Sequence, residues 1–152
     1  MNDQGLRDSY EQLAHIYGAA AAVLRNDEFA LQYLRGYEGA RRPHLQAALQ
    51  VTAQAIRLLD GGIDRELLVS LTSDIAREDL YDGAIAHTQG DRLTGYETVE
   101  RLARVKRSVT DIAAPLIAEL WSFAAFVKGQ DPEDFARQLC LAVGMVGSAL
   151  DQ

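Results

Sequence analysis

Apolar residues recur at helical spacing through nearly every stretch of this chain that lies between its Gly, Pro and Asp punctuation marks, and no stretch sustains the period-2 alternation of a half-buried strand. A chain patterned this way buries its apolar surface by packing helix against helix, so the pattern predicts an all-α fold. Its 152 residues, 48% apolar and 24% charged, are enough for one domain with one core. No internal repeat, low-complexity tract or linker interrupts it. The expectation is a single bundle of about six helices spanning 1–152.

The first helix is expected over about 6–24, with Leu6, Tyr10, Leu13, Tyr17 and Leu24 on one face and His15 off it. Asp27 caps a short second helix, whose Phe29, Tyr33, Leu34 and Tyr37 are read as core bulk and which Gly36 and Gly39 end. After Arg41, Arg42 and Pro43, a third helix carries Leu45, Leu49, Thr52, Ile56 and Leu59 and is closed by Gly61 and Gly62. Asp64 caps the next stretch, where Leu68, Leu71 and Ile75 point opposite to Leu80, Tyr81, Ala84 and Ile85. A break with a restart at Ser73 and Asp74 removes that conflict.

Thr94 and Glu97 have capping-box spacing and are expected to open the longest helical segment, striped by Val99, Leu102, Val109, Ile112, Leu116 and Leu120. Pro115 has no N–H for the carbonyl of Asp111, so the segment should kink or split there. Beyond it, Trp121, Phe123 and Phe126 widen the apolar face, and Gly129 stops the helix. Asp131, Pro132, Glu133 and Asp134 then supply a cap, a first-position proline and first-turn acid for a buried C-terminal helix. Its inner stripe is Phe135, Leu139, Val143, Val146 and Leu150. This helix and the proline-kinked one are expected to form the centre.

The formal net charge of −7 argues against a general nucleic-acid binder, which needs a basic face. The longest apolar stretches, 112–127 and 139–150, are shorter than the roughly 20 residues of a membrane helix, and Glu119 interrupts the first. No basic-then-apolar start marks a secretory signal, so the expected location is the cytoplasm, without membrane contact. The single cysteine, Cys140, matches no zinc pattern and reads as a small core residue.

Three groups of residues carry candidate chemistry. Arg35, Arg41, Arg42 and His44 cluster around a helix start, where guanidinium forks and free N–H groups would hold an anion or a partner's carboxylate; alternatively the arginines pair with surface acids. Asp79 and Asp82, at i and i+3, would need a metal, a proton or arginines if buried, and turn outward if the helix breaks before them. His87 lies near a helix C-terminus, where a proximal haem ligand would sit. Chain length and this histidine resemble a globin in outline. The stretch Ala14, His15, Ile16, Tyr17, Gly18, Ala19 and Ala20 resembles the phosphorylatable segment of histidine phosphotransfer domains. That family has lysine before a glycine four residues after the histidine; here Tyr17 precedes Gly18 at three, which departs from that pattern.

A further candidate is a second apolar side on the last helix, Leu141, Gly144, Met145 and Ser148, together with the aromatic cluster at Trp121: either a partner interface or a helix covered on both sides. The pairs Glu97 with Arg101, Glu100 with Arg104 and Arg107 with Asp111 have the i, i+4 spacing of helix-surface ion pairs. No G-x-S-x-G turn, glycine-rich phosphate loop or Ser beside a histidine identifies a catalytic residue. The leading expectation is a small cytoplasmic interaction module, a regulator, adaptor or inhibitor, without cofactor or metal, acting as a homodimer through its C-terminal helices and contacting a second protein. The alternative is a helical domain holding haem, a metal or an apolar small molecule through His87 or through Asp79 and Asp82. An enzyme gripping an anionic substrate with the arginine loop is a third class, with no assignable acid, base or nucleophile.

Overall fold

Helix starts leave N–H groups unsatisfied, and short polar side chains that accept from them decide where each helix begins. In the computed structural model, which describes residues 3–60 and 63–150, Asp27, Asp74, Asp91, Ser108 and Asp131 accept from the N–H groups of Ala30, Arg77, Thr94, Asp111 and Asp134. They precede α2 (Glu28–Gly36), α4 (Ile75–Thr88), α5 (Arg92–Leu102), α6 (Val109–Val127) and α7 (Pro132–Leu150). The remaining helices are α1 (Asp3–Leu24) and α3 (Arg41–Leu58). Two 3-10 turns, Arg65–Leu67 and Val69–Leu71, join α3 to α4, and no strand occurs among the described residues. The architecture is an all-α bundle, as the helical spacing predicts. Gly61 and Gly62, and the side chains of Leu6, Val146, Ser148 and Leu150, lie outside the described residues.

The break before α4 falls at Asp74, where the opposed apolar directions require it, and Ile75 consequently faces solvent. Two boundaries differ from expectation. Asp91, not Thr94, caps α5: its carboxylate takes both the N–H and the hydroxyl of Thr94, at 3.1 and 2.6 Å, placing Thr94 in the first turn. The long segment divides at residues 103–108 and restarts at Ser108, while Pro115 sits inside an uninterrupted α6.

The helix tolerates Pro115 because another element supplies the missing donor. Arg77 Nη2 donates to the Asp111 carbonyl at 2.8 Å, and Arg77 Nε donates to the Ile112 carbonyl at 3.1 Å. Asp111 is the residue whose carbonyl Pro115 cannot serve. The same guanidinium donates to the Ser70 carbonyl at 3.1 Å and pairs with Asp74 at 3.3 Å. Glu119, the acid inside the apolar run, accepts the Ser70 N–H at 2.9 Å and so ties the second 3-10 turn to α6.

Helix α6 is the centre, packed against α1, α2, α3, α4 and α7. Its Ile112, Leu116, Ile117, Leu120 and Trp121 are all fully buried. By length and composition α6 is apolar enough to cross a membrane, but two-thirds of that stretch is covered by the bundle, as a core helix requires. Helix α7 is less central than expected: Phe135, Ala136 and Gly147 are buried, and the opposite side is open. Much of the core is alanine, including Ala19, Ala22, Ala48, Ala53, Ala113 and Ala114, which lets helix axes approach closely. Gly83 extends this to the α4–α5 crossing, where an added Cβ would lie 2.5–2.8 Å from Thr98.

If Arg77 substitutes for the lost backbone donor, the two positions are energetically coupled. Arg77→Ala should cost about 2–4 kcal/mol, and Pro115→Ala should recover at least about 1 kcal/mol more in that background than in the wild type. Urea denaturation of the four proteins measures the coupling; strictly additive changes would refute it.

Candidate functional site

The arginine loop is occupied by the protein itself. Arg35, in the last turn of α2, donates from Nε to Asp111 at 2.6 Å and from Nη1 to Glu28 at 3.1 Å. Arg41, the first residue of α3, donates to the Leu102, Val105 and Arg107 carbonyls at 3.0, 2.5 and 2.7 Å, satisfying the C-terminal end of α5 and the turn after it. Arg42 forms a two-pronged pair with Glu100, at 2.9 and 3.2 Å. Arg35 points to α6, Arg41 to the C-terminal end of α5 and the turn after it, and Arg42 to Glu100 on α5, so they stitch α2 and α3 to α5 and α6 and do not converge on an anion. A cleft of about 510 Å³ beside them is lined by Arg35, Arg77 and Arg107, but each of these is matched by Asp111, Glu28 or Asp74.

The surface-pair spacings along α5 and its C-terminal turn are likewise used differently. Arg101 chelates Asp79 at 2.8 and 3.0 Å, and Arg107 chelates Asp74 at 3.0 and 3.1 Å. Burial works against a charge on Asp74, but the Arg107 hydrogen bonds, the Arg77 N–H and both guanidinium charges prevail and hold its carboxyl below the usual range.

His44 is not a surface ligand. It is fully buried, Nδ1 donates to Gln12 Oε1, and its ring meets that of His15 edge-on with centroids 4.4 Å apart. His15 Nε2 in turn donates to the Leu34 carbonyl at 2.7 Å, fixing α1 to α2. Burial, reinforced by the His15 ring, pushes the His44 imidazole down to about 4, with Glu38 opposing weakly. Glu38 itself caps α6, its two oxygens accepting the Val109 and Thr110 N–H groups at 3.0 and 2.8 Å.

Asp79 and Asp82 turn outward and apart, as the break before α4 implies: Asp79 to Arg101, Asp82 to Arg65. Among the described residues no three His, Cys, Asp or Glu side chains are grouped to hold a metal. His87 is half-buried in the last turn of α4 beside a cleft of about 440 Å³ that also contains Gln46, Gln50, Arg92 and Tyr96. That rim is polar, unlike the apolar slot of a haem site. Cys140 lies 3.7 Å from the Tyr17 carbonyl, and burial pushes its thiol up, away from reactivity.

Large apolar side chains are exposed at several places, among them Ile75, Leu93, Val127 and Phe126, the last expected to widen the apolar face of α6 but placed at its exposed C-terminal end; two helices carry them at successive turns. On α7, Leu141 is 63% and Met145 74% exposed, and Gly144 between them has open space around it. Trp121 does not join them: it is 1% exposed and packs against Tyr17 in the core, because α1 and α7 cover that part of α6. The side chain of Ser148 lies outside the described residues.

The second face was read as core from the sequence and is not. Phe29, Tyr33 and Tyr37 are 82%, 59% and 68% exposed, and the two tyrosine rings pair at 4.6 Å. Leu31 and Leu34 instead pack the other side of α2 against Ala19 and Ala22 of α1 and Ala114 of α6. The i, i+4, i+8 spacing of the aromatics marks one face of the helix, and the leucines that compete for the core fall opposite it. That opposition was legible; the winner was not. Helix α7 runs along the Tyr10 and Tyr17 side of α1, and α2 along its Ala19 and Ala22 side, so the two stripes lie on opposite flanks.

The neutral, buried state of His44 makes stability depend on pH with a definite sign. Its folded value is depressed, so the unfolded chain binds the proton first: the contribution is complete above about 6.5 and declines as pH falls toward 4. Between pH 7.5 and 5 the wild type should lose about 2 kcal/mol that His44→Gln does not lose. Urea titrations of both proteins at the two pH values test this, and equal losses would overturn it.

Comparison with known proteins found no matching family model, no similar curated protein and no similar solved structure.

Proposed function

We propose that this chain is a helical interaction module that homodimerises through the outer face of α7 and offers the aromatic stripe of α2 to a second protein, as an adaptor or regulator does. The observation that carries this reading is the pair of exposed apolar stripes on opposite flanks of α1. Three aromatic side chains at these exposures present on the order of 400 Å² of apolar surface, the size at which a patch marks an interaction site. That is roughly half of what one partner contributes to a standard interface.

The chemistry of the two faces divides the roles. Tyr is enriched among heterologous hot spots and Phe among interface residues, and both give large contact at low entropic cost. Leu141 and Met145 flank Gly144, which admits a second backbone at close range, and methionine adapts to a copy of itself. A two-fold dimer uses one patch against itself and closes, leaving the other patch available.

Sedimentation equilibrium should find a dimer, and Leu141→Glu combined with Met145→Glu should weaken it at least about thirtyfold by placing four charges in one apolar contact. At concentrations low enough to dissociate the wild type, the two proteins should share one thermal midpoint, since both side chains are exposed in the monomer. Phe29→Ala with Tyr33→Ala should leave the dimer intact. A monomeric wild type, or a charged variant that still dimerises, would refute the α7 interface.

A further inference from the structure

Helices α3 and α5 cross where Gly95 meets Leu49: a Cβ on Gly95 would lie 3.2 Å from Leu49 Cδ2. On α3 the residues flanking the crossing at i and i+4 are Gln46 and Gln50; on α5 they are Arg92 and Tyr96. His87, in the last turn of α4, lines the same cleft, and Leu49 and Gly95 lie between the polar pairs. The cleft encloses about 440 Å³, within the range of small-ligand sites.

None of the side chains of Gln46, Gln50, His87, Arg92 and Tyr96 makes a hydrogen bond or ion pair with another described residue. Arg35, Arg42, Arg65, Arg101 and Arg107 are engaged on carboxylates and Arg41 and Arg77 largely on carbonyls; Arg57 and Arg104, like Arg92, have no ion pair among the described residues, but Arg92 lines this cleft beside His87. Arg92 is exposed on the rim of the cleft, where its fork is available to an anion that enters beside His87.

We propose that this cleft binds a small mononucleotide-like anion, with a phosphate held by Arg92 and the His87 ring and a flat heterocycle lying on Tyr96. The guanidinium fork matches phosphate oxygens. The ring of Tyr96 is 62% exposed and presents a stacking face. The amides of Gln46 and Gln50 each carry donors and an acceptor, which suits the mixed edge of a heterocycle. The site uses neither α2 nor α7, so it stands apart from the proposed dimer and partner faces.

Isothermal titration of the full chain with AMP, with UMP and with inorganic phosphate tests the assignment, using Arg92→Ala and Tyr96→Ala as variants of exposed side chains whose folding circular dichroism verifies. At least one nucleotide should bind saturably and at least about tenfold tighter than phosphate. Each variant should weaken that binding about tenfold or more. The proposal falls if neither nucleotide saturates by 10 mM, a ceiling of roughly −3 kcal/mol, if phosphate binds as tightly as the nucleotides, or if either folded variant binds as the wild type does.

Discussion

The fold turns on one guanidinium. Arg77 is held by Asp74, which caps its own helix, and it reaches across to the Asp111 and Ile112 carbonyls that Pro115 disturbs in α6, while a further N–H holds the Ser70 carbonyl. The Asp111 carbonyl that Pro115 cannot serve takes its donor from the protein. Here one side chain serves the central helix, the second 3-10 turn and the start of α4 together. Burial lowers the Arg77 guanidinium's hold on its proton, and the carboxylates of Asp74, Asp111 and Glu119 counter that effect. Arg107 then joins Asp74 from the α5–α6 turn, extending the same network to the point where the chain re-enters helix at Ser108.

Around this polar hub the packing is set by small side chains. Alanines on α1, α3 and α6 bring the helices close, and the space left between them is filled by Ile16, Leu45, Leu49, Leu116, Leu120 and Trp121. Helix α2 meets an alanine surface with Leu31 and Leu34, and a seam that narrow has no volume for aromatic rings as well. Phe29, Tyr33 and Tyr37 are therefore left on the solvent side. The same geometry produces the exposed α7 stripe: α7 docks through Phe135, Ala136 and Gly147, where Tyr10 occupies the space a Cβ would take, and Leu141, Gly144 and Met145 on its other side are exposed.

The helix class, the break at Asp74 and the caps Asp27, Asp74 and Asp131 were legible because each depends on residues within a turn or two of one another, whereas the sequence left open whether Leu141 and Met145 are exposed or covered. The α5 cap was misplaced because Asp91 and Thr94 both satisfy local rules, and the carboxylate takes both of the threonine's donors. The arginine loop misled for a related reason. A cluster of guanidiniums in sequence says nothing about direction, and Arg35 leaves it toward Asp111 of α6 while Arg41 and Arg42 reach separate groups on α5. His44 was drawn to the surface by its charged neighbours, although α1 and the α2–α3 loop close over it.

The sequence by itself determined the secondary structure and its punctuation, since periodicity, caps and missing N–H groups act over a few residues and carry their physics with them. It also held the two i, i+4 polar pairs of α3 and α5, but as unrelated surface residues. Only the tertiary structure decided which apolar faces were covered, which carbonyl received Arg77, and that Gln46, Gln50, His87, Arg92 and Tyr96 share one cleft. Those outcomes depend on competition for a fixed interior volume and on the angles at which helices cross, and neither is encoded within any single stretch of chain.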